Sequence, residues 1–358
     1  MRKILLLIVL ILLPLVTIGG QDGSDSTKRI GVAVVPIIDY DPTFSVKLGL
    51  VAQAFYKLSP NDSISPSSST GVFGMYAFNG TYFLGAFQKF HIAEDRWRVL
   101  LAGGLGNVNF QYWQEFPIVG GSFIGFNTNA TFAAARVERE ILDDLYAGIN
   151  GVYARTQTAF DLPDWVPDSL SSEEINMHNI GYQFNYDRRD HQYNPSGGFD
   201  LIFKHSIFPE WLKNEYVFHN FKITYNHYYR IRNERHILAT RFSADISAGD
   251  VPFTGQNVVG QDDIRGYTSG KYRNDQVYAL QAEYRWNFYK KFGAVGFFGV
   301  ATATERLGTI AENEFLPGGG IGLRYLMLPD ERINVGIDVA FGKDDWGLYF
   351  RIGESFCR

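Results

Sequence analysis

The feature that most constrains this chain is a two-residue hydrophobic period in long segments near its C-terminus. From Arg332 to Gly342 the sequence reads RINVGIDVAFG, in which apolar residues alternate with small or polar ones. Successive side chains of a β-strand point to opposite faces, so this pattern predicts a strand with one apolar face and one wet face. The segments 278–288 and 346–353 repeat the pattern. The sequence therefore predicts an all-β chain.

Two architectures share this alternation. A soluble sandwich buries its apolar faces in a core, whereas a transmembrane antiparallel β-barrel turns them to lipid around a wet lumen. Mid-strand charges, aromatic residues near strand ends and predicted strands of ~10 to 15 residues all favour the barrel, here with about sixteen strands. The charged positions are Arg241, Asp245, Glu283, Arg285, Arg324, Asp338 and Arg351.

The N-terminus carries the features of an export signal. MRKILLLIVLILLPLVTIGG has a positive start, an apolar core and small residues at its end, so we expect residues 1–20 to be a signal peptide. The alternative is an N-terminal membrane anchor. Beyond this segment no apolar run approaches the ~18 residues that a membrane helix needs. We therefore expect residues 21–358 to form a single outer-membrane barrel domain, with no room for a periplasmic domain.

Composition argues against several other classes of function. The formal net charge of −5 is unlike that of a nucleic-acid-binding protein, and one cysteine, Cys357, allows no internal disulfide framework. No nucleophile elbow, zinc-binding H-E-x-x-H motif or phosphate-binding loop is present. We predict no enzyme activity, no metal site and no cofactor.

A long polar loop in the C-terminal half carries a family motif. Ile264, Arg265, Gly266 and Tyr267 resemble the [V/I/L]-R-G-[F/Y] signature of the bacterial surface-antigen barrels. These are the outer-membrane assembly factors of the BamA and TamA types and the transporters of two-partner secretion. The run DRRDHQYNPSGGF is similar to the family's D-x-R-D…P-x-x-G turn, whose motif positions here are Asp187, Arg189, Asp190, Pro195 and Gly198. The resemblance covers residues 187–356 and implies a short member without POTRA domains.

In that family the signature loop is the sixth external loop, and it folds back into the barrel. A buried arginine must be paired, and Glu283 lies on an inward face of the next predicted strand, so we expect an Arg265–Glu283 bond. The family often places an aspartate on the strand after that, where this chain has Gly299. Asp338 and Asp245 are alternative partners for Arg265.

The last predicted strand resembles the terminal signal by which barrel strands are recognised for assembly. Its residues include Gly347, Tyr349, Phe350 and the late aromatic Phe356, although Cys357 and Arg358 follow. Glycine weakens a strand because it has no side chain to pack. In assembly factors the seam between the first and last strands is the proposed lateral gate. The same glycines are equally consistent with simple space-makers.

The resemblance implies a barrel that assists insertion or translocation of proteins, or of lipids, at the outer membrane. Its partners would be outer-membrane lipid and either unfolded barrel clients or a periplasmic protein. The alternatives are a passive pore or structural barrel, and a barrel subunit that binds a separate periplasmic partner. Fold alone does not choose among these functions.

Overall fold

The computed structural model describes residues 30–41, 45–116, 120–161, 172–260, 263–267 and 270–357. The predicted signal peptide lies outside the described residues. Most of the described backbone is extended. The strands are β1 (Gly31–Asp41), β2 (Ser45–Tyr56), β3 (Ser68–Ala77), β4 (Tyr82–Ile92), β5 (Trp97–Phe116), β6 (Gly120–Leu142), β7 (Leu145–Asp161), β8 (Ser172–Asn176), β9 (Asn179–Asp187), β10 (Gly198–Phe208), β11 (Phe218–Arg230), β12 (His236–Gly249), β13 (Asn257–Val258), β14 (Arg273–Asn274), β15 (Gln276–Tyr289), β16 (Phe292–Thr304), β17 (Leu316–Leu328), β18 (Ile333–Gly342) and β19 (Asp345–Ile352).

Within these residues, seventeen strands form one antiparallel sheet that curls into a barrel. β8 and β9 are successive pieces of one wall strand, because both pair with β7, at Arg155↔Asn176 and Val152↔Asn179. The wall therefore has sixteen strand positions, which confirms the predicted fold class. β13 and β14 form a small separate pair within the connection between β12 and β15. No helix in the described ranges has the length and apolar character to cross a bilayer.

The contact that closes the barrel differs from the others. β1 pairs with β2 along Gly31–Asp41 and β19 pairs with β18 along Asp345–Ile352. β1 and β19 lie side by side, yet across the described residues no register of paired backbone positions joins them. Pro36 also removes one backbone donor from β1. We call this β1–β19 contact the seam.

The two ends of the barrel carry different connections. We call the end where β1 begins and β19 ends the terminal end, and the opposite end the loop end. Two connections at the terminal end, at 290–291 and 329–332, are tight, whereas the connection between β12 and β15 at the loop end is long. The first half is less regular, because the terminal-end connection 57–67 is long and the loop-end connection 78–81 is short.

The predicted alternation of faces holds in the C-terminal half. On β15, Leu280 and Trp286 are 57% and 47% exposed on the outer face, while Glu283 and Arg285 are buried on the inner face. The outer face is apolar, as a lipid-facing wall requires, and the charges lie inside.

The inner face of β2–β6 departs from the prediction of a wet lumen. Phe73 and Phe87 point inward, whereas their neighbour Val72 is 50% exposed outside. The rings cover glycines on the adjacent strand, since a Cβ on Gly85 would meet the Phe73 ring and one on Gly71 would meet the Phe87 ring. This half of the wall has apolar residues on both faces, so the alternation alone does not show which face is the lumen.

Candidate functional site

The sixth connection at the loop end, which the structure describes at 250–260, 263–267 and 270–275, folds into the barrel. Val259, Ile264 and Tyr267 are almost fully buried and form one cluster with residues of the inner wall, namely Val277, Ala279, Ala301 and Leu316. The apolar loop residues thus replace water contacts by contacts with β15, β16 and β17, which stabilises the folded-in position.

Arg265 lies in the lumen with both terminal nitrogens of its guanidinium engaged in polar contacts. Its Nη2 is 2.7 Å from Oε2 of Glu283, and its Nη1 is 2.7 Å from Oδ2 of Asp338. Nη2 also donates to Oε1 of Gln281 at 2.8 Å, and the guanidinium lies 3.4 Å from the ring centre of Phe297. Two carboxylates and an aromatic face compensate a charge that is removed from water.

The two carboxylates that contact Arg265 also bind other lumen arginines. Glu283 accepts from Nε of Arg285 at 2.9 Å, and Asp338 lies 2.9 Å from Nη2 of Arg351 and in contact with Arg324. Glu283 and Asp338 are completely buried. The network therefore ties loop six to β15, β17, β18 and β19 at once.

The C-terminal residues also contact this network, because they turn from the end of β19 into the lumen. β19 ends at Ile352, and Gly353, with φ of +84°, turns the chain into the lumen. Glu354 then accepts from Nε of Arg324 at 3.0 Å, and Ser355 accepts from Nη1 of Arg265 at 2.9 Å. The terminal segment 353–357, which we call the tail, thus contacts loop six directly.

Phe356 lies at the centre of the tail. It is 1% exposed and packs with Tyr228 and Ala239 of the inner wall. The Tyr228 hydroxyl donates to the Phe356 carbonyl at 2.8 Å. The Arg241 guanidinium lies 4.8 Å from the centre of the Phe356 ring. The strand alternation places Phe356 on the last strand, whereas the structure places it inside the barrel because the chain leaves the wall at Gly353.

The other terminal-strand residues remain in or beside the wall. Tyr349 points inward and its hydroxyl accepts from the Gly266 backbone N–H at 2.9 Å. Gly347 leaves room for the Tyr349 ring, since a Cβ there would come within 2.8 Å of the tyrosine hydroxyl. The Tyr349 ring therefore lies against Gly347. Phe350 pairs with Ile337 on the outer face.

Gly266 and Tyr267 fix the tip of loop six against β17 and β18. Gly266 has φ of +106°, and a Cβ there would lie 2.7 Å from the carbonyl carbon of Phe341. The Tyr267 hydroxyl donates to the Pro317 carbonyl at 2.6 Å and accepts from the Lys343 N–H at 3.0 Å. Burial raises the pKa of Tyr267, which keeps this hydroxyl protonated as a donor.

Gly266→Ala is expected to release the loop tip, because the new methyl group meets backbone atoms in a left-handed conformation. The strain is about 1–3 kcal/mol, and proteolysis within residues 260–275 should become faster. Gly308→Ala is the matched control, since a Cβ there meets nothing within 4 Å. Equal protease resistance of the two variants would contradict the tight packing at Gly266.

Asp245 and Gly299 do not take part in the contacts of Arg265. Asp245 instead lies 3.1 Å from Nζ of Lys222 and accepts from Nδ2 of Asn220 at 2.8 Å. Gly299 faces inward beside Gln281, whose amide oxygen contacts Arg265. Gln281 on β15 therefore supplies a contact to Arg265 that the sequence motif did not predict.

The turn motif between β9 and β10 forms its own ion pairs. Asp187 accepts from Nε of Arg189 at 2.7 Å, and Asp190 accepts from Nη2 of Arg230 at 2.5 Å. Gly198 has φ of +92°, and any Cβ there would collide with the Arg188 carbonyl. Both ionic contacts hold the turn at the terminal end of the barrel.

The same turn reaches across the lumen toward the seam. The Tyr193 ring meets the Phe55 ring edge-on at 5.4 Å, and its hydroxyl donates to the Ser67 carbonyl at 2.9 Å. Burial raises the pKa of Tyr193 to about 12, so the hydroxyl remains a donor. The Pro195 carbonyl contacts Nη1 of Arg285 at 3.4 Å, which joins the turn to the arginine network.

These features define the class of protein. An antiparallel barrel with an apolar outer face, a charged lumen and a long external loop folded inside is the architecture of an outer-membrane barrel protein. A family model described as the Omp85 superfamily domain matches residues 121–356, more than half of the chain. The chain belongs to the Omp85 superfamily.

Solved structures share the fold at low sequence identity. BamA from Haemophilus ducreyi lacking POTRA domains 1–3 is 10% identical, with a TM-score of 0.58 over 91% of this chain and 70% of that one. CdiB from Escherichia coli is 11% identical, with a TM-score of 0.61 over 92% of this chain and 63% of that one. CdiB from Acinetobacter baumannii is 11% identical, with a TM-score of 0.56 over 91% and 65%. A comparison with curated proteins finds no match to this chain.

The described site consists of ion pairs and hydrogen bonds. In the part of the chain that the structure describes, no group of three or more His, Cys, Asp or Glu side chains is placed to hold a metal ion. The arginine network instead joins loop six, the wall and the tail into one unit beside the seam.

Proposed function

We propose that the protein assists insertion or translocation of proteins or lipids at the outer membrane through the seam between β1 and β19. The observation that carries the proposal is the seam itself, where two adjacent strands have no paired register within the described residues. Backbone groups at a strand edge are templates for an added strand. In hydrocarbon each group without a partner costs several kcal/mol, which favours strand exchange at this edge.

The contents of the lumen support a lateral route over a central one. Loop six and the tail meet at Arg265, which contacts Glu283, Asp338 and Ser355. A wide steady pore would require these buried contacts to break, whereas opening of the seam leaves most of them in place. The expected partners are outer-membrane lipid and unfolded barrel clients.

A seam-locking experiment tests the proposal. Cys357 is the only cysteine, so a Cys357→Ser background allows a thiol crosslinker to join Ala33→Cys on β1 to Ile352→Cys on β19, which pack in one cluster. In liposomes the uncrosslinked protein is expected to accelerate folding of an unfolded barrel client over empty liposomes. Crosslinking should abolish this acceleration, and cleavage of the crosslinker should restore it.

The matched control joins two strands that are already paired. Ile337→Cys and Phe350→Cys are partners in the β18–β19 ladder, so a crosslink there should leave client folding unchanged. Equal rates with the seam open and locked would contradict the lateral route. Absence of acceleration together with a large steady conductance in planar bilayers would identify a passive pore instead.

A further inference from the structure

Two turns at the terminal end of the barrel concentrate positive charge. The turn between β11 and β12 contains Arg232 and Arg235, and the turn between β15 and β16 consists of Lys290 and Lys291. All four side chains are exposed. The one acidic residue of the two turns is Glu234, so four cations and one carboxylate leave a formal charge of +3. We call the four cations the basic rim.

The two turns lie side by side because the strands that lead into them are neighbours in the wall. His236 of β12 pairs with Trp286 of β15. Directly beyond this pair, the Asn287 backbone N–H donates to the Arg235 carbonyl at 2.9 Å. The four cations are therefore presented together at one place on the edge of the barrel.

The basic rim differs from other exposed cations at the same end of the barrel. Arg96 lies 2.9 Å from a carboxylate oxygen of Glu94, and Arg188 lies 3.2 Å from one of Asp144. Among the residues that the structure describes, no member of the basic rim forms an ion pair. Its charge is thus available to an anionic group from outside the chain.

Lipid-facing rings lie directly beside the basic rim. Trp286 and Phe288 of β15 and Phe292 of β16 are exposed on the outer face, on the two strands that the turn 290–291 joins. The ring centres of Trp286 and Phe288 are 5.5 Å apart. Aromatic residues of a membrane protein concentrate at the level of the lipid headgroups, so the cations beyond these rings lie level with the lipid phosphates.

We propose that the basic rim binds the phosphate of an anionic phospholipid whose acyl chains lie against Trp286 and Phe292. Arginine can donate two parallel hydrogen bonds to a phosphate, and lysine adds a compact positive charge. A phospholipid contacts the rings and the cations at once, whereas an acidic peptide would contact the cations alone. The site lies on the outer surface and goes beyond the proposed function, because it requires neither the seam nor a client.

Fluorescence quenching by brominated lipids tests the site. A variant that keeps Trp286 as its only tryptophan is reconstituted in phosphatidylcholine with either brominated phosphatidylglycerol or brominated phosphatidylcholine. We expect the anionic lipid to bind beside Trp286 about fivefold more strongly, the preference that one nearby cation supplies. Lys290→Gln combined with Lys291→Gln should bring the ratio close to one. A variant that keeps only Trp346, on the outer face near the loop end, should show no such preference.

Changes of opposite sign separate the basic rim from the general charge of the protein. Glu234→Gln removes the carboxylate of the same turns and should strengthen the preference for phosphatidylglycerol. Arg188→Gln removes an exposed arginine that is already paired with Asp144, so the preference should not change. High salt should weaken the preference of the unmodified rim, because it screens exposed charges.

A second measurement keeps every tryptophan in place. The wild type and the Lys290→Gln, Lys291→Gln variant are purified in detergent from equal amounts of phosphatidylglycerol and phosphatidylcholine, and retained lipid is quantified by mass spectrometry. We expect the wild type to retain more phosphatidylglycerol than the variant.

Equal lipid preference in the wild type and the variant would overturn the proposal. A hexaglutamate peptide that bound through Lys290 and Lys291, without any lipid preference, would overturn it in favour of an acidic protein partner. Because neither measurement uses a client, the lipid site can fail while client folding still succeeds, and the reverse also holds.

Discussion

Glu283→Gln is expected to destabilise the folded barrel by about 3–5 kcal/mol, the cost of breaking a buried ion pair. The Glu283 side chain is completely buried and contacts Arg265, Arg285 and Ser355. Glutamine keeps the shape and removes the charge. Only two carboxylates, Asp338 and Glu354, would then face the four arginines of the network, which are Arg265, Arg285, Arg324 and Arg351. Urea unfolding in detergent micelles, followed by tryptophan fluorescence, measures the change.

Two further variants separate the charge effect from a general effect of the substitution. Glu174→Gln removes an exposed carboxylate that pairs with Arg155, so we expect unchanged stability. Glu283→Gln combined with Arg265→Met removes one charge of each sign, so the double variant should be more stable than the sum of the single changes predicts. A Glu283→Gln protein as stable as the wild type would show that the network does not stabilise the barrel.

The sequence predicted the strands of the second half because in them only the outer face is apolar and the inner face carries charge. On β15 a lipid-facing side chain must be apolar and a lumen-facing one can carry charge, so the alternation around Glu283 reports the face directly. The alternation of faces does not predict the position of Arg265 beside Glu283 and Asp338. It depends on how a loop folds back, and only the motif resemblance indicated it.

The first half could not be predicted in the same way. In the segment GVFGMYAF both faces are apolar, so Val72 on the outside and Phe73 on the inside look alike in the sequence. The pairing of each inward ring with a glycine of the neighbouring strand is a cross-strand property. Such a pairing requires the register, which local sequence patterns do not contain.

The tail and the turn motif show a second reason for the difference. The tail leaves the wall at Gly353, and the polar residues Glu354 and Ser355 after it were the signal that the strand had ended. Likewise, Tyr193 reaches Phe55 and Ser67, more than a hundred residues earlier in the chain. Contacts across a closed lumen join distant parts of the sequence, and no local period indicates them.

Phe356→Ala is expected to cost about 3–5 kcal/mol, the usual effect of removing a buried aromatic side chain. The ring is 1% exposed, and its loss leaves a cavity between Tyr228 and Ala239. The tail should then leave the lumen, so that Ser355 no longer contacts Arg265. Maleimide labelling of Cys357 should become faster, and urea unfolding should begin at a lower concentration.

The controls must distinguish tail packing from a role of this aromatic in assembly. Phe356→Leu keeps most of the apolar volume and should retain slow labelling of Cys357, whereas Trp346→Ala removes an outer-face aromatic and should not affect the tail. If folded Phe356→Ala protein showed wild-type stability and labelling but accumulated slowly in the membrane, the ring would act as an assembly signal. In that case the Phe356 ring would not be needed to hold the tail against the arginine network. Faster labelling in Phe356→Ala alone would instead show that this ring holds the tail against loop six.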